Sequence, residues 1–354
     1  MSHLVAAGTY ARIAGLTLEI ESFELERLEL PVAPEFTRVT TVVHLYGGGK
    51  EGVGEDVTYD EADQSAFQHW GVNLPLPGSW TLGSFSKRLD DVPLFPDEPA
   101  RLAYRDYRRW GIESAALDLA LRQAGTSLAA ALEREPRPIT YVVSMRLPEP
   151  PSFEPLERWL ELYPGLRFKL DPTSSWDDAF VERLAALDKV DVADLKGAYK
   201  GTPVDQPPDR ELYRRVAEGL PAALIEDPAL TPETDPVLEP YRDRVTWDAP
   251  IHSVDDVLAL PFPPRVLNVK PSRFGPLELL FGFYDWCAEH DVRNYGGGQF
   301  ELGPGRGQIQ YLASLFHPDA SNDVAPSGFN TGLKPGLPAS PLPPPDASVP
   351  GFRA

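Results

Sequence analysis

The sequence predicts an α/β protein, a (β/α)8 TIM-type barrel with an N-terminal α+β capping domain, and three observations carry this expectation. After residue 136, short apolar strands alternate with helical stretches, eight strands in about 190 residues, which is the count for one such barrel. Before it, strand-type alternation gives way to one long helical pattern. Acidic and lysine side chains recur at the carboxyl ends of successive barrel strands, the end where barrel enzymes place their chemistry. The expected domains are a cap over 1–135, the barrel over 136–332, and a proline-rich tail over 333–354 that packs back on the cap.

In the cap, Leu16–Leu28 and Val39–Tyr46 alternate as strands do, and the glycine run Gly47–Gly49 followed by Lys50 makes a hairpin turn. That run lacks the spacing G-x-x-x-x-G-K-[ST] and has strands on both flanks, so it does not read as a phosphate loop. Residues 104–132 carry a helical stripe of Ala116, Leu117, Ala120, Leu121, Ala124 and Leu128, with Gly125 as a break or close-packing point.

The barrel strands are expected at 138–145, 167–171, 190–196, 222–227, 245–248, 265–270, 292–295 and 322–325. Helices fit between most of them, at 154–162, 176–187, 210–219, 254–260, 276–290 and 307–316. A doubly wound sheet is the competing topology, but it calls for a glycine-rich turn after its first strand, and Met145-Arg-Leu-Pro-Glu149 has none.

Composition removes several functions. Among 354 residues there are 53 acidic and 33 basic side chains, a formal charge of −20 that repels a phosphate backbone, so nucleic acid is not expected as a partner. The one cysteine, Cys287, lies in an apolar run; it excludes a disulfide scaffold and cysteine-ligated zinc and suits a reducing cytoplasm. Met1–Tyr10 lacks the basic start and apolar stretch of a signal peptide, and no segment approaches about 18 uninterrupted apolar residues, so no membrane partner is expected.

The strand ends carry the chemistry. Lys169, Asp194, Glu226, Asp248 and Lys270 close strands two to six at intervals of 25, 32, 22 and 22 residues, near one βα unit each, so their side chains point into one cup. Three carboxylates with neither Cys nor His among them form an all-oxygen set suited to Mg²⁺. A lysine beside a divalent cation and other ammonium groups has its charged form disfavoured, which suits a general base.

This arrangement resembles the enolase superfamily, and within it the muconate-lactonising-enzyme-like branch of the mandelate racemase and muconate lactonising enzyme family. That branch places a lysine on strand two, Asp, Glu and Asp on strands three to five, and a lysine on strand six. Local matches in register extend the resemblance over nearly the whole chain: Gly52-Val-Gly-Glu55, Glu113–Gly125, Ile225-Glu-Asp-Pro228, Val269-Lys-Pro-Ser-Arg-Phe-Gly275 and Gly297-Gly-Gln-Phe-Glu-Leu-Gly303. The resemblance implies that Asp194, Glu226 and Asp248 hold Mg²⁺ and that Lys169 and Lys270 form the acid/base pair on opposite faces of a small carboxylate substrate. It also implies a homo-oligomer.

Three departures stand out. Strand two, usually Lys-x-Lys, reads Arg167-Phe168-Lys169, which makes Arg167 a candidate substrate contact. Strand three, usually Asp-x-Asn, reads Asp194-Leu195-Lys196, and period two puts Lys196 on the face of Asp194, where it contacts substrate or forms a salt bridge. Leu170–Trp176 mimics the strand-three motif, but accepting it leaves nine strands, so Asp194 is preferred. Glu301 either supports the site from strand seven or starts a helix, and Gly303–Gly307 either offers amides to an anion or is a turn. His252 is expected to be structural, and Trp80, Phe85 and Glu55–Phe67 lie where such caps carry specificity loops.

The implied function is Mg²⁺-dependent abstraction of a proton α to a carboxylate with stabilisation of an enediolate. It would lead to racemisation or epimerisation of N-acylamino acids or dipeptides, to syn-dehydration of the o-succinylbenzoate synthase type, or to cycloisomerisation. The alternatives are a sugar-acid dehydratase, against which the absence of a strand-seven histidine counts, and a binding protein that keeps the metal site without efficient turnover.

Overall fold

The structure is a computed structural model that describes residues 8–34, 36–200 and 205–353; Met1–Ala7, the start of the stretch read above for a signal peptide, lies outside the described residues. The cap sheet is an antiparallel meander of β2 (Ser22–Ala33), β3 (Phe36–Gly47) and β4 (Lys50–Asp56), and β1 (Thr17–Ile20) pairs separately with β5 (Gly78–Thr81). The β3–β4 hairpin turns on Gly48 and Gly49, both at positive φ (57° and 66°), the combination that a two-residue turn between twisted strands requires.

The helix Tyr104–Gln123 lies between this sheet and the barrel. Every residue from Trp110 to Leu121 is buried, so the helix has no solvated face there. Its approach to β4 is set by missing side chains: a Cβ on Gly52 would lie 2.3 Å from the carbonyl oxygen of Ala115, and one on Gly54 2.1 Å from that of Gly111. The helical pattern read as continuous from 104 to 132 breaks at Gly125 (φ +66°) and resumes as Leu128–Leu132, where the Ser127 hydroxyl caps the Ala130 amide at 3.1 Å.

Five barrel strands pair in parallel in chain order: β6 (Val143–Met145), β7 (Phe168–Leu170), β8 (Val190–Asp194), β9 (Leu224–Glu226) and β10 (Val245–Thr246). A second parallel pair, β11 (Val266–Val269) and β12 (Arg293–Gly296), joins β10 through the Asn268 amide on the carbonyl of Trp247 at 3.1 Å. The ring closes through single bridges, Gly297 to Asp323 and Asn322 to Tyr141, which make the short segment at 322–323 the eighth strand. β7 and β11 are buried at every position, as a parallel sheet covered on both sides requires.

The tail after residue 333 adds an antiparallel bridge from Leu342 to Ile139. It ends with Phe352 fully buried against Trp110 and Tyr311. Asp118 of the long helix accepts from the Phe352 amide and the Arg353 guanidinium, both at 2.7 Å, and from the Val53 amide at 3.0 Å.

Candidate active site

The chain direction of a parallel barrel puts every strand's carboxyl end at one mouth, and there the structure brings together Lys169, Asp194, Glu226, Asp248 and Lys270. All five are buried. The Lys169 ammonium pairs with Glu226, lies 3.1 Å from Asp194 Oδ2 and 3.5 Å from Asp323 Oδ2, while Lys270 Nζ is 2.8 Å from Asp248 Oδ2. Lys169 sits on the second barrel strand and Lys270 just beyond the sixth, which stand opposite each other in a ring of eight. The three carboxylates occupy the wall between them.

Several further residues join the cup. Asp323, on the eighth strand, and Asp171, two positions beyond Lys169, add carboxylates; both positions follow from strand ends and period two. Asp227 accepts the amides of Asp248 and Ala249 at 2.8 and 2.9 Å and thereby fixes the turn after β10. Arg273 Nη1 lies 2.8 Å from Asp248 Oδ1, and the Tyr199 hydroxyl donates to Asp248 Oδ2 at 2.8 Å. Tyr295 of β12 donates its phenol proton to Glu226. Arg273 and Asp227 stand inside motifs already visible in the sequence, whereas nothing in the sequence points to Tyr199.

The carboxylates outnumber the cations. Lys169, Lys196, Lys270 and Arg273 form ion pairs with Asp171, Asp194, Glu226, Asp248 and Asp323, and Asp227 brings the carboxylates to six. The crowding of carboxylates raises two of them. Burial and the neighbouring acids push Glu226 well above the usual carboxylate range, and burial with Asp248 and Asp194 pushes Asp227 up to about 7. Asp194 and Asp248 go the other way despite burial, the first lowered by Lys196 and Lys169, the second by Arg273 and Lys270. A divalent cation would offset this crowding, and buried oxygens of Asp194, Glu226 and Asp227 lie within 4.8 Å of one another, so the donor set fits the Mg²⁺ expected from the sequence. The geometry substitutes Asp227 for Asp248 in that cluster, because Asp248 is turned toward Lys270, Arg273 and Tyr199.

Lys169 differs from the expected lowered pKa. Burial opposes the charge on Lys169, but Glu226, Asp194 and Asp323 override it and hold the ammonium well above its ordinary value. The lowering expected from the sequence depends on a neighbouring metal cation, and among the protein's own groups the anions around Lys169 dominate.

Arg167 is a correction. It precedes β7, so it lies at the amino-terminal end of the barrel, where its guanidinium pairs with Asp191 at 2.5 Å and donates to the Asp188 carbonyl at 2.9 Å. Period two keeps its side chain on the face of Lys169 but one layer down, away from the cup.

Lys196 is an ion-pair residue. At φ +54°, just past β8, its ammonium pairs with Asp194 and lies 3.5 Å from Asp171, and its amide donates to Asp194 Oδ1 at 3.1 Å. Glu301 is buried, accepts the Gln299 amide at 2.6 Å and pairs with Arg306 at 2.9 Å. The amides of the glycine-rich segment after it are engaged: Leu302, Gly303 and Gly305 donate to Glu55 of the cap at 2.7, 3.0 and 2.9 Å. His252 is structural, its ring on the Ala249 carbonyl. In the cap, Trp80 packs on Phe85, and buried Arg38 ties the carbonyls of Val57 and Thr58 to those of Gln299 and Phe300 at 2.7–3.1 Å.

No helix among the described residues is long and apolar enough to cross a membrane. The o-succinylbenzoate synthase of Bacillus subtilis (strain 168) is 26% identical over 295 residues, covering 75% of this chain and 76% of that protein. Among solved structures, a dipeptide epimerase from Methylococcus capsulatus complexed with Mg ion superimposes with a TM-score of 0.67 at 19% identity, covering 86% of this chain and 89% of that one. A muconate cycloisomerase from Pseudomonas fluorescens gives a TM-score of 0.65 at 18% identity over 95% and 96%. The barrel and cap thus have the fold of solved enolase-superfamily structures, muconate cycloisomerase and dipeptide epimerase among them. With residues 11–131 and 135–331 matching its N-terminal and C-terminal domains, the chain belongs to the family described as Domain of unknown function (DUF8230).

Proposed function

We propose that the protein is a Mg²⁺-dependent enzyme that removes a proton α to the carboxylate of a small molecule, and that the barrel over 136–332 performs this chemistry beneath the cap. The observation that carries this reading is the placement of two buried lysines on opposite strands with a carboxylate wall between them. Asp194 and Glu226, with Asp248 or Asp227, would hold the metal, whose positive charge would stabilise the enediolate. Lys169 and Lys270 would meet the two faces of the substrate at Cα. One takes the α-proton while the other returns a proton, assists a leaving group or acts only as a cation. Arg273 and Tyr199 hold Asp248 in place, and Arg38 ties Val57 and Thr58 of the cap to Gln299 and Phe300 of the barrel.

Syn-dehydration of the o-succinylbenzoate synthase type is the first outcome to test, because the curated relative at 26% identity carries that name. Epimerisation is the second reading, supported by the dipeptide epimerase neighbour and by a lysine on each face. A small soluble carboxylate, a cytoplasmic location and a homo-oligomer complete the proposal. The test is α-proton exchange in D₂O, followed by NMR with Mg²⁺ and a panel of o-succinylbenzoate precursors, N-acyl amino acids and dipeptides. Exchange or turnover with one class is expected; tight binding without exchange across the panel would overturn the enzyme reading in favour of a binding protein.

A further inference from the structure

The barrel strands have another end. Arg167, Asp191, Leu224, Val266 and Arg293 stand at or beside the amino-terminal ends of β7, β8, β9, β11 and β12, and they line a cavity of about 690 Å³ at the base of the barrel. That size suits a small organic molecule. Its wall is aromatic where Tyr284, Tyr295 and Phe316 face it.

Its rim is cationic in a chain whose formal charge is −20. Arg134, Arg137, Arg167 and Arg293 all line the cavity, against the carboxylates of Asp191 and Asp319. Arg167 is taken by Asp191, and Arg137 by Asp319 at 2.8 Å. Arg134 stacks on Phe316 with its guanidinium carbon 4.3 Å from the ring centroid and gives one hydrogen bond, to the Leu315 carbonyl at 3.3 Å, but makes no ion pair among the described residues. Arg293 is exposed, and its side chain makes neither a hydrogen bond nor an ion pair among them. The Arg293 side chain is therefore without a counter-charge in direct contact, and Arg134 has only the more distant Asp285 to offset it.

We propose that this basal cavity is a second ligand site, for a small organic anion with an apolar ring and one carboxylate or phosphate head. Arg134 and Arg293 bind the head, and the ring packs on the apolar lining of Leu224, Val266 and Val292 beside the edge of Phe316, whose two faces are taken by Arg134 and Tyr284. Guanidinium forks match both oxyanions, and stacking on Phe316 pre-orients Arg134. The site is built to report to the cup, because Tyr295 lines the cavity and also donates its phenol proton to Glu226. A ligand that shifts Tyr295 alters the hydrogen bond on a carboxylate assigned above to the metal, so this coupling, unlike the binding itself, rests on the proposed function.

Calorimetric titration of the full chain without metal, using phenyl phosphate, benzoate and inorganic phosphate, tests the site. Phenyl phosphate or benzoate is expected to bind, and whichever binds more tightly identifies the head. Arg293→Ala and Arg134→Ala should each weaken binding about tenfold with an unchanged unfolding midpoint for the exposed Arg293→Ala. Absence of binding by both aromatic probes, equal binding of inorganic phosphate, or affinities unmoved by either arginine variant would overturn the site. For the coupling, saturating probe should change the Mg²⁺ affinity about five-fold in the wild type and leave it unchanged in Tyr295→Phe, which still binds the probe. An unchanged wild-type Mg²⁺ affinity overturns the coupling, whereas a protein that binds no Mg²⁺ at all counts against the proposed function and not against the basal site.

Discussion

The carboxylate of Glu55, on the last strand of the cap sheet, accepts a hydrogen bond from the amide of Gly305 at 2.9 Å, at the start of the helix that follows the seventh barrel strand. With the amides of Leu302 and Gly303 it occupies the anion site that this glycine-rich helix start offers. Cap and barrel are thus joined by a buried carboxylate in the place where the sequence left room for a substrate anion. Glu55→Ala leaves these buried donors unpaired and should cost about 3 kcal/mol of stability. Urea unfolding measures it, and a loss below about 1 kcal/mol would mean that the amides find other partners.

The close passage of the long cap helix over β4 gives a second expectation. A methyl group on Gly54 would sit 2.1 Å from the Gly111 carbonyl oxygen and 2.6 Å from the Ala115 amide nitrogen, both backbone atoms of a buried helix that cannot step aside. Gly54→Ala should destabilise the protein by about 3 kcal/mol, at the upper end for overpacking. Gly49→Ala is the contrast: no atom lies within 4 Å of its Cβ position, and its cost comes from φ +66° alone, about 1 kcal/mol. Equal unfolding midpoints for the two variants would contradict the packing argument.

Much of the site was legible because strand ends in a barrel have only one destination. Lys169, Asp194, Glu226, Asp248 and Lys270 are picked out by residue type and by their spacing of about one βα unit, and all five arrive in the cup. Arg167 was misplaced for a related reason: period two gives the face of a strand but not the depth, and two residues along a strand move a side chain by about 6.6 Å. Lys196 has two readings in the sequence because a residue just past a strand has no fixed direction until its backbone is known, and φ +54° turns it onto Asp194. Tyr199 comes from a loop, where no periodicity exists to read. Glu55 and Arg38 act across the domain boundary, and contacts at that separation leave no local pattern.

Lys169 and Lys270 should separate by stereochemistry. If both are bases, Lys169→Ala and Lys270→Ala each abolish α-proton exchange from one enantiomer and leave it from the other, each loss being about 10³-fold. If the reaction is an elimination, one variant removes all exchange and the other lowers turnover through lost electrostatic stabilisation. Proton exchange by NMR on separate enantiomers decides between them. Gly297 adds a companion variant, since its Cβ would lie 2.8 Å from Lys270 Cε and 2.5 Å from Asn268 Oδ1. Gly297→Ala should copy the stereochemical signature of Lys270→Ala in weaker form.

His317 gives a pH dependence of stability. It is buried at the end of the helix Pro304–Phe316, with Nδ1 2.6 Å from Asn322 Oδ1 and Nε2 3.2 Å from the Tyr284 hydroxyl. The amide nitrogen of Asn322 donates to three carbonyls, so its oxygen is the acceptor and the neutral ring carries its proton on Nδ1. Burial lowers the pKa from 6.5 to about 4. Because the folded form binds the proton less well than the unfolded one, the contribution is complete above about pH 6.5 and is lost as pH falls toward 4. It amounts to about 3 kcal/mol. His317→Gln should flatten the difference in stability between pH 7 and pH 4 by that amount; an unchanged pH profile would show that the ring is not held neutral.

The third ligand of the metal is the point where interval and geometry part. The strand-end pattern names Asp248, while Asp227 is the carboxylate whose oxygen lies within 4.8 Å of those of Asp194 and Glu226. Both oxygens of Asp227 already accept amides of the turn that carries Asp248, so Asp227 is held as a brace whether or not it also ligates. Asp248 makes ion pairs with Lys270 and Arg273 and accepts from Tyr199, and a divalent cation would have to compete with that company. Calorimetric Mg²⁺ titration separates the cases. If Asp248 ligates, Asp248→Asn should weaken Mg²⁺ about 100-fold or more, and Asp227→Asn about tenfold through the loosened turn, together with a lowered unfolding midpoint. If Asp227 ligates, the order reverses, and the loss in Asp227→Asn persists under conditions that restore its stability.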